Sequence, residues 1–305
     1  MHLAFRDGPR LAQNLGCQAL QVFCGNPRGW RKAPLEQEFV AHFREGVAAA
    51  RIEPLVVHAT YLINLAARAE RLCRRSREGL VAEVARAAQL GARYYVIHCG
   101  SHGGAGVASG RQRAAASVRE ALARVPQGPD ILLENSAGGG AQLGAAFEEL
   151  AALLDACASS RVGMCLDTCH TFAAGYDIRT SQSAAETLDA LARTVGLERL
   201  RCLHINDSKG ALNSHLDRHQ HIGRGQIGDA GFRAFFSDRR LWNLPAILET
   251  PKVRPRDDPR NLRRAIGLAL EAGAVNAADV EPPPRAARMY RRHLAGCSAG
   301  VPPAR

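Results

Sequence analysis

Short apolar runs recur along the chain, and the longer segments between them carry apolar residues three or four positions apart. A short run rich in apolar or β-branched residues is typical of a buried strand, whereas the longer spacing is typical of an amphipathic helix. The predicted strands are Ala19–Phe23, Glu53–Val57, Tyr94–His98, Ile131–Glu134, Val162–Asp167, Arg201–Ile205 and Ala246–Glu249. The predicted helices are Phe39–Ala50, Glu78–Leu90, Ala114–Val125, Phe147–Cys157, Ala184–Val195 and Asn261–Ala272.

The alternation of strands and helices predicts an α/β fold with a parallel sheet. A doubly wound open sheet and a (β/α)8 barrel both fit it. No Gly-x-Gly-x-x-Gly segment follows the first strand, and the number of strands over this length favours the (β/α)8 TIM barrel. A barrel needs an eighth strand, for which Met1–Phe5 is the available segment. Because a helical stretch follows around Arg10–Leu15, we expect strand 1 to be shortened or missing.

The composition is that of a globular protein. Of the 305 residues, 46% are hydrophobic and 23% are charged, which permits a full core and excludes disordered, collagen-like and coiled-coil classes. No apolar run reaches the roughly 18 residues of a membrane span, and Met1–Gly8 has no signal-peptide core, so we expect a soluble, cytoplasmic, nucleoid-associated protein. The helical pattern ends near Gly273, which predicts a barrel domain at 1–277 and a basic, Pro- and Arg-rich tail at 278–305.

Basic side chains outnumber acidic ones, 40 to 29, and give a formal net charge of +11. All but three of the basic residues are arginine, a bias that codon usage produces as readily as phosphate binding does. Residues 281–305 hold five arginines and one glutamate. The charge is therefore only mild support for a polyanionic partner. The nine cysteines include no Cys-x-x-Cys pair, which argues against a thiolate zinc finger and favours reduced, packed thiols.

Six successive predicted strands end on a residue type that binds metals. These residues are His58, His98, Glu134, Asp167, His204 and Glu249. In a parallel barrel the C-terminal ends of the strands meet at one face, where active sites lie. A single histidine there is more often an ordinary packed or surface group, but six such residues in one register are poorly explained in that way.

Two local clusters enlarge this set. His170 lies three residues after Asp167, and Asp217 and His219 occupy alternate positions of one segment, so they can point the same way. The nine candidates combine imidazole and carboxylate groups without thiolate, which suits zinc or manganese in open, catalytic coordination. Nine ligands exceed what one tetrahedral ion can use, so the sequence favours a cluster of two or three ions with one bridging carboxylate.

Several segments around these candidates carry a family resemblance. The most specific is 165–177, Cys-Leu-Asp-Thr-Cys-His-Thr-Phe-Ala-Ala-Gly-Tyr-Asp. The others are Asn26–Trp30, His58–Leu65, His98–His102, Leu133–Asn135, Leu203–Asp207, Asp217–His219, Gly223–Gly228 and Leu248–Thr250. In these segments the chain resembles the endonuclease IV family (AP endonuclease family 2), zinc-dependent apurinic/apyrimidinic endonucleases of base-excision repair. The resemblance spans residues 10 to 275 and implies a xylose isomerase-like TIM barrel.

The resemblance also implies a centre of three zinc ions, with manganese as the alternative at one of them. His58, His98 and Glu134 would hold the first ion. Glu134 would bridge to a second ion, held also by Asp167, His204 and Glu249. The third ion would be held by His170, Asp217 and His219. Catalytic roles would fall to Glu134, Glu249 and His98.

The implied reaction is hydrolysis of the phosphodiester 5′ to an abasic site in duplex DNA, leaving a 3′-hydroxyl and a 5′-deoxyribose phosphate. Zinc lowers the pKa of bound water from about 15.7 to about 7, so a hydroxide nucleophile would be available at neutral pH. The residues that match the family's minor-groove positions are Arg28, Tyr61 and Leu62. The candidate phosphate contacts are Lys209, Arg218 and Arg224. We expect a monomer.

Two alternatives stay open at this point. A metal-dependent sugar isomerase or epimerase on a similar barrel needs fewer ligands and lacks the Asp217-x-His219 pair. A non-catalytic, lesion-binding member of the family would have no reason to keep the complete ligand set. The chain departs from the family at its start, where a Gly-x-His segment is usual, and at Cys99, where proline commonly follows the metal-binding histidine.

Overall fold

The computed structural model describes residues 1–275, most of which form alternating strands and helices. The strands are β1 (Leu20–Phe23), β2 (Leu55–His58), β3 (Tyr94–His98), β4 (Asp130–Glu134), β5 (Val162–Asp167), β6 (Leu200–His204), β7 (Asp207–Ser208), β8 (His219–Gln220) and β9 (Ala246–Ile247). The helices are α1 (Gly8–Leu15), α2 (Gln37–Ala49), α3 (Glu70–Leu90), α4 (Val107–Arg124), α5 (Phe147–Cys157), α6 (Thr168–Ala173), α7 (Ser181–Thr194), α8 (Gly228–Phe236) and α9 (Asp257–Glu271).

Seven strands form one parallel sheet in the order β1-β2-β3-β4-β5-β6-β9, and β7 and β8 form a separate antiparallel hairpin. Strands that are adjacent in this sheet also follow one another in the sequence, apart from the hairpin between β6 and β9. Helices cover the outer face of the sheet. The predicted TIM barrel is confirmed, and each of the seven predicted strands is present with bounds within two residues of the prediction.

The first three residues close most of the gap between the two edge strands β1 and β9. The main-chain N–H of His2 donates to the carbonyl of Leu248 at 3.0 Å, and that of Leu3 donates to the carbonyl of Gln21 at 2.8 Å. Gln21 in turn donates its main-chain N–H to the carbonyl of Met1 at 2.8 Å. Strand 1 is therefore shortened to a single bridge rather than missing.

Alternation along the strands explains how the barrel is filled. The interior cluster consists of Val56, Tyr94, Val96, Leu132, Cys165, Cys202 and Ile247, while their neighbours, such as Val57 and Leu133, pack under the helices. Because successive side chains of a strand point to opposite faces, the residue two positions further on also points inward. In β2 to β6 and after β9 these residues are His58, His98, Glu134, Asp167, His204 and Glu249.

The helices differ more from the prediction than the strands do. Helix α3 begins at Glu70, whereas the predicted helix begins at Glu78. The prediction missed the first two turns because they bury only Cys73 and Ser76 and lack the apolar spacing. The short helix α6 was not predicted; it begins where the Asp167 carboxylate accepts a hydrogen bond from the main-chain N–H of His170 at 2.9 Å. Helix α8 follows a glycine-rich segment and was also not predicted.

Within residues 1–275 no helix is long and apolar enough to cross a membrane. The predicted basic tail at 278–305 lies outside the described residues. The proposed division into a barrel domain and a tail therefore stays a prediction.

Candidate metal centre

All nine sequence-predicted metal ligands lie at the C-terminal mouth of the barrel. Six of them come from the inward-facing positions at the strand ends. His170 comes from the first turn of α6, directly after β5. Asp217 and His219 come from the β7–β8 hairpin, which folds over the mouth so that His219 Nδ1 lies 3.2 Å from the carbonyl oxygen of Glu249.

Glu134 is the buried centre of this cluster. Its Oε2 lies 3.2 Å from Nε2 of His58 and 3.2 Å from Nε2 of His98. Its Oε1 lies 2.9 Å from Nδ1 of His204. One carboxylate thus contacts imidazoles from three strands, which is the arrangement that a bridging ligand requires.

His204 connects Glu134 to a second carboxylate, because its Nδ1 also lies 3.1 Å from Oε2 of Glu249. Asp167 is the neighbour of His204 in the register of β5 and β6. The Oδ2 atom of Asp167 lies 3.7 Å from Nε2 of His219. The structure therefore places Asp167 between the second and third predicted ligand sets.

The third set is compact. Oδ1 of Asp217 lies 3.1 Å from Nε2 of His170 and 3.4 Å from Nε2 of His219. Both imidazole nitrogens are buried, and neither makes a hydrogen bond within residues 1–275. Buried polar atoms are normally hydrogen-bonded. Two buried nitrogens that converge on one carboxylate without a well-formed hydrogen bond fit a bound metal ion.

The orientation of the imidazoles supports the same assignment. Three of them turn Nδ1 toward a main-chain carbonyl oxygen, at 2.8, 2.9 and 3.2 Å, in the pairs His58 with Ala59, His170 with Asn135 and His219 with Glu249. In the neutral imidazole, an Nδ1–H that donates to a carbonyl leaves Nε2 without a proton and able to bind a metal. The donor set therefore fits zinc.

The carboxylates and imidazoles of the cluster shift one another's pKa values. Burial disfavours ionisation of Glu134, yet the imidazoles of His204 and His98 hold its pKa well below the ordinary value. Burial also opposes protonation of His204, but the Glu249 and Glu134 carboxylates raise its pKa well above the ordinary value. Despite burial, His170 lowers the pKa of Asp217 to about 2. Glu134 and Asp217 are thus ionised, and a metal ion that binds to His204 must displace a proton from its imidazole.

Two polar residues that the sequence reasoning missed, His2 and Gln21, line the same mouth. Gln21 Oε1 accepts a hydrogen bond from His204 Nε2 at 2.9 Å, and Gln21 Nε2 donates to Glu249 Oε1 at 2.6 Å. Gln21 Nε2 also lies 2.9 Å from His2 Nδ1. The signal that could have found Gln21 is its polar side chain within the apolar run Ala19–Phe23.

Two asparagines hold Asp167 in place. The main-chain N–H of Asp167 donates to Asn135 Oδ1 at 2.7 Å. Asn206 Nδ2 donates to Asp167 Oδ2 at 2.6 Å, and Asn206 Oδ1 accepts from the main-chain N–H of Glu249 at 2.8 Å. Such outer contacts fix the orientation of a ligating carboxylate.

The predicted minor-groove residues lie on neighbouring loops at the rim. Tyr61 is 65% exposed, and its ring centroid lies 5.3 Å from that of Phe23. A cavity of about 640 Å³ lies between Tyr61 and the metal-ligand cluster. Leu62 is half-buried beside Tyr61, and Arg28 is exposed on the loop after β1. The cavity is of the size that holds a small organic ligand.

The predicted phosphate contacts lie on the hairpin side of the mouth. Lys209 donates its main-chain N–H to the carbonyl of Arg218 at 2.8 Å, so both side chains extend from the same end of the hairpin. Arg224 is exposed on a loop whose main-chain N–H groups bind the buried carboxylate of Asp207. Their contact with DNA stays a prediction.

Comparison with known proteins gives a consistent assignment. The family model described as "Xylose isomerase-like TIM barrel" matches residues 9–272. A probable endonuclease 4 from Halothermothrix orenii is 40% identical over 247 residues, which is 81% of this chain and 89% of the relative. One from Chloroflexus aggregans is 44% identical over 242 residues, covering 79% of this chain and 85% of the relative.

Solved structures extend the comparison. The crystal structure of endonuclease IV from Thermus thermophilus superposes with a TM-score of 0.79 at 39% identity, covering 89% of this chain and 98% of that one. A D-tagatose 3-epimerase-like protein superposes with a TM-score of 0.64 at 20% identity, covering 84% of this chain and 90% of that one. At that identity the likeness shows the shared barrel alone.

Proposed function

The chain belongs to the endonuclease IV family, and from this premise we propose that it is a zinc-dependent AP endonuclease of base-excision repair. The proposed reaction hydrolyses the phosphodiester 5′ to an abasic site in duplex DNA and leaves a 3′-hydroxyl and a 5′-deoxyribose phosphate. The observation that carries the proposal is the convergence of nine imidazole and carboxylate side chains beside a cavity that Tyr61 borders.

The family resemblance implies how three zinc ions would be shared among these side chains, and the contacts support the first and third sets. The first ion would be held by His58, His98 and Glu134, the second by Glu134, Asp167, His204 and Glu249, and the third by His170, Asp217 and His219. When bound, zinc supplies water of lowered pKa and positive charge that stabilises the phosphoryl oxygens.

We assign catalytic roles to Glu134, Glu249 and His98. His98 and Glu249 border the cavity directly, whereas Glu134 lies beneath them and is fully buried. Glu134 holds the imidazoles of three strands at a fixed spacing, so the site is formed before DNA arrives. Such preorganisation lowers the barrier because no group must be reoriented during the reaction.

The exposed residues at the rim would recognise the lesion. An abasic nucleotide has lost its base stacking, so extruding it from the duplex costs less than flipping an intact nucleotide. Tyr61 and Leu62 would fill the vacated space, and Arg28 would enter the minor groove. Lys209, Arg218 and Arg224 would bind phosphates on the hairpin side. The proposed partner is double-stranded DNA with an abasic site, bound by a monomer.

The test is incubation of the purified protein with a duplex that contains one synthetic abasic site, with and without a chelator. We expect a single incision 5′ to the site, lost with the chelator and restored by zinc. Metal analysis should give two or three ions per chain. A zinc-loaded protein that leaves the duplex intact would refute the proposal, and a single ion per chain would refute the cluster.

Two substitutions separate chemistry from recognition. Glu134→Ala should abolish incision, because it removes the carboxylate that contacts three imidazoles. Tyr61→Ala should mainly raise KM for the abasic duplex, because the exposed ring lies outside the cluster. A fully active Glu134→Ala protein contradicts the bridging role.

A further inference from the structure

A buried ion pair lies outside the metal-ligand cluster and has no part in the proposed chemistry. Nζ of Lys32 lies 2.9 Å from Oε1 of Glu83, and the two side chains are only 9% and 3% exposed. Lys32 belongs to the β1–α2 loop (residues 24–36), which carries Arg28, and Glu83 lies on α3. Burying two charges costs free energy that their attraction seldom repays, so such a pair is weak evidence for stability and needs another explanation.

Lys32 holds its own loop in shape. Its ammonium group donates to the carbonyl oxygens of Asn26 and Gly29, each at 3.1 Å, in addition to Glu83. All three N–H bonds of the ammonium group are therefore used. The two carbonyls flank Arg28, whose main-chain N–H donates to Asn26 Oδ1 at 2.9 Å.

Glu83 also binds a second loop. Its Oε2 accepts a hydrogen bond from the main-chain N–H of Thr60 at 3.0 Å and from the hydroxyl of Tyr95 at 2.9 Å. Thr60 belongs to the β2–α3 loop (residues 59–69) and directly precedes Tyr61. One carboxylate thus binds both loops to α3, and each of its three partners is a donor.

The two loops also bind each other. The carbonyl oxygen of Pro27 accepts hydrogen bonds from the hydroxyl of Thr60 and, at 3.2 Å, from the main-chain N–H of Tyr61. Pro27 is the neighbour of Arg28 in the sequence. The carbonyl of Pro27 therefore links the residue next to Arg28 directly to Tyr61. Glu83 binds both loops, one through Lys32 and the other through Thr60.

We propose that Lys32 and Glu83 are positioning residues for lesion recognition: the buried pair holds the two loops in one preformed arrangement, so that Arg28 and Tyr61 bind DNA without first being ordered. This inference rests on the proposed function. Ordering a loop upon binding reduces affinity, and a preformed loop avoids that cost. The charged pair is kept because only a carboxylate accepts from all three donors at once.

The first test uses Glu83→Gln and Lys32→Met. The glutamine keeps the shape of Glu83 but turns an amide donor toward Lys32 or toward Thr60 and Tyr95. Methionine keeps most of the volume of Lys32 and removes its charge. Each variant should raise KM and Kd for an abasic duplex about tenfold, with kcat and zinc content unchanged. An unchanged KM in both variants would overturn the proposal, as would a loss confined to kcat.

A matched control separates positioning from general stability. Tyr95→Phe removes a hydrogen bond to the same carboxylate, but Tyr95 lies on β3 and belongs to neither loop. It should lower Tm and leave KM unchanged. The double variant Lys32→Met with Glu83→Gln should be no weaker in binding than Glu83→Gln alone, because the amide donor no longer faces an ammonium group. Fully additive losses of DNA affinity in the double variant would contradict a joint role of the two residues.

A second readout does not depend on DNA. Trp30 lies in the β1–α2 loop, packs against Gly79 of α3 and lies beneath the guanidinium of Arg75, 4.5 Å from its ring centroid. The chain has two tryptophans, so Trp242→Phe leaves Trp30 as the only one. In that background Glu83→Gln should increase quenching of Trp30 by acrylamide severalfold, while Tyr95→Phe should not.

The two readouts fail in different ways. If the unaltered protein does not bind or cut abasic DNA, the proposed function is wrong, and increased quenching in Glu83→Gln would still support the role of the pair in holding the loop. If the unaltered protein cuts abasic DNA and Glu83→Gln changes neither quenching nor KM, the pair has no positioning role.

Discussion

At the scale of single residues, register decides which side chains meet at the mouth of the barrel. Glu134 stands two positions after Leu132, and His204 two positions after Cys202, both of which fill the interior. A shift of one residue in either strand would point the side chain toward the helices instead. The same rule places Gln21 inside, where it contacts His204 across 183 residues of sequence.

We predict that Gln21→Leu weakens zinc binding. Leucine leaves the buried Nε2 of His204 without an acceptor, which should cost about 1–3 kcal/mol of folding stability. Loss of such an orienting contact should reduce zinc affinity about 10- to 100-fold. Competition with a chromophoric chelator measures the affinity. Val22→Ala is the control, because Val22 is buried on the opposite face of β1, so this variant should lose stability but keep its zinc affinity.

A second prediction at this scale concerns the thiols. The eight cysteines within residues 1–275 are buried and free. Burial raises the pKa of Cys24 and of Cys157 to about 12, so at pH 8 only about one in ten thousand of these thiols is ionised. Iodoacetamide should therefore modify both residues slowly in the native protein and rapidly in urea, as peptide mass spectrometry would show. Native modification at the rate of a free cysteine would contradict the burial.

At the scale of elements, the strands follow from local pattern and the loops do not. The apolar run Tyr94–His98 coincides with β3, because buried strands of a parallel sheet are continuous apolar runs. The start of α3 at Glu70 could not be predicted from apolar spacing, since its first turns face solvent. The buried ion pair of Lys32 and Glu83 could not be predicted either, because charged residues in a sequence ordinarily indicate surface positions.

The loop after β3 yields an element-scale prediction. Gly100 has φ +92°, and a Cβ there would lie 2.6 Å from Oδ1 of Asn64 and within 2.9 Å of two main-chain nitrogens. Gly104 in the same loop has φ +82° and open space around it. Gly104→Ala should cost about 1–2 kcal/mol for the left-handed backbone alone, and Gly100→Ala at least about twice as much. Urea unfolding compares them; equal losses would show that the loop yields to the added methyl group.

At the scale of the whole molecule, closure of the barrel depends on contacts between the first residues of the chain and the segment that follows β9. His2 donates to Leu248 and accepts Lys252 Nζ at its carbonyl, and Glu249 lies 3.0 Å from its imidazole. The nine clustered side chains could be chosen from the sequence because each follows a strand or a short motif. The sequence also indicates Met1–Phe5 as the closing segment, but it does not decide between a shortened and a missing strand, because the partners of His2 near β9 are about 250 positions away.

The net charge of +11 leads to a testable prediction only when the positions of the basic side chains on the barrel are considered. Each phosphate that is neutralised by a cationic side chain contributes about −0.9 to the slope of log K against log salt. If Lys209, Arg218 and Arg224 bind phosphates, the slope for an abasic duplex should be about −3. Lys209→Gln with Arg224→Gln should bring it to about −1.

The control for this measurement carries the same change of charge at the other end of the barrel. Arg51 follows α2 and Arg124 ends α4, so both lie near the N-terminal ends of strands, away from the mouth. Arg51→Gln with Arg124→Gln should leave the slope within about 0.3 of the unaltered protein. If both pairs flatten the slope equally, binding follows the total charge of the molecule rather than the arginines and lysine at the mouth, and the assigned phosphate contacts are wrong.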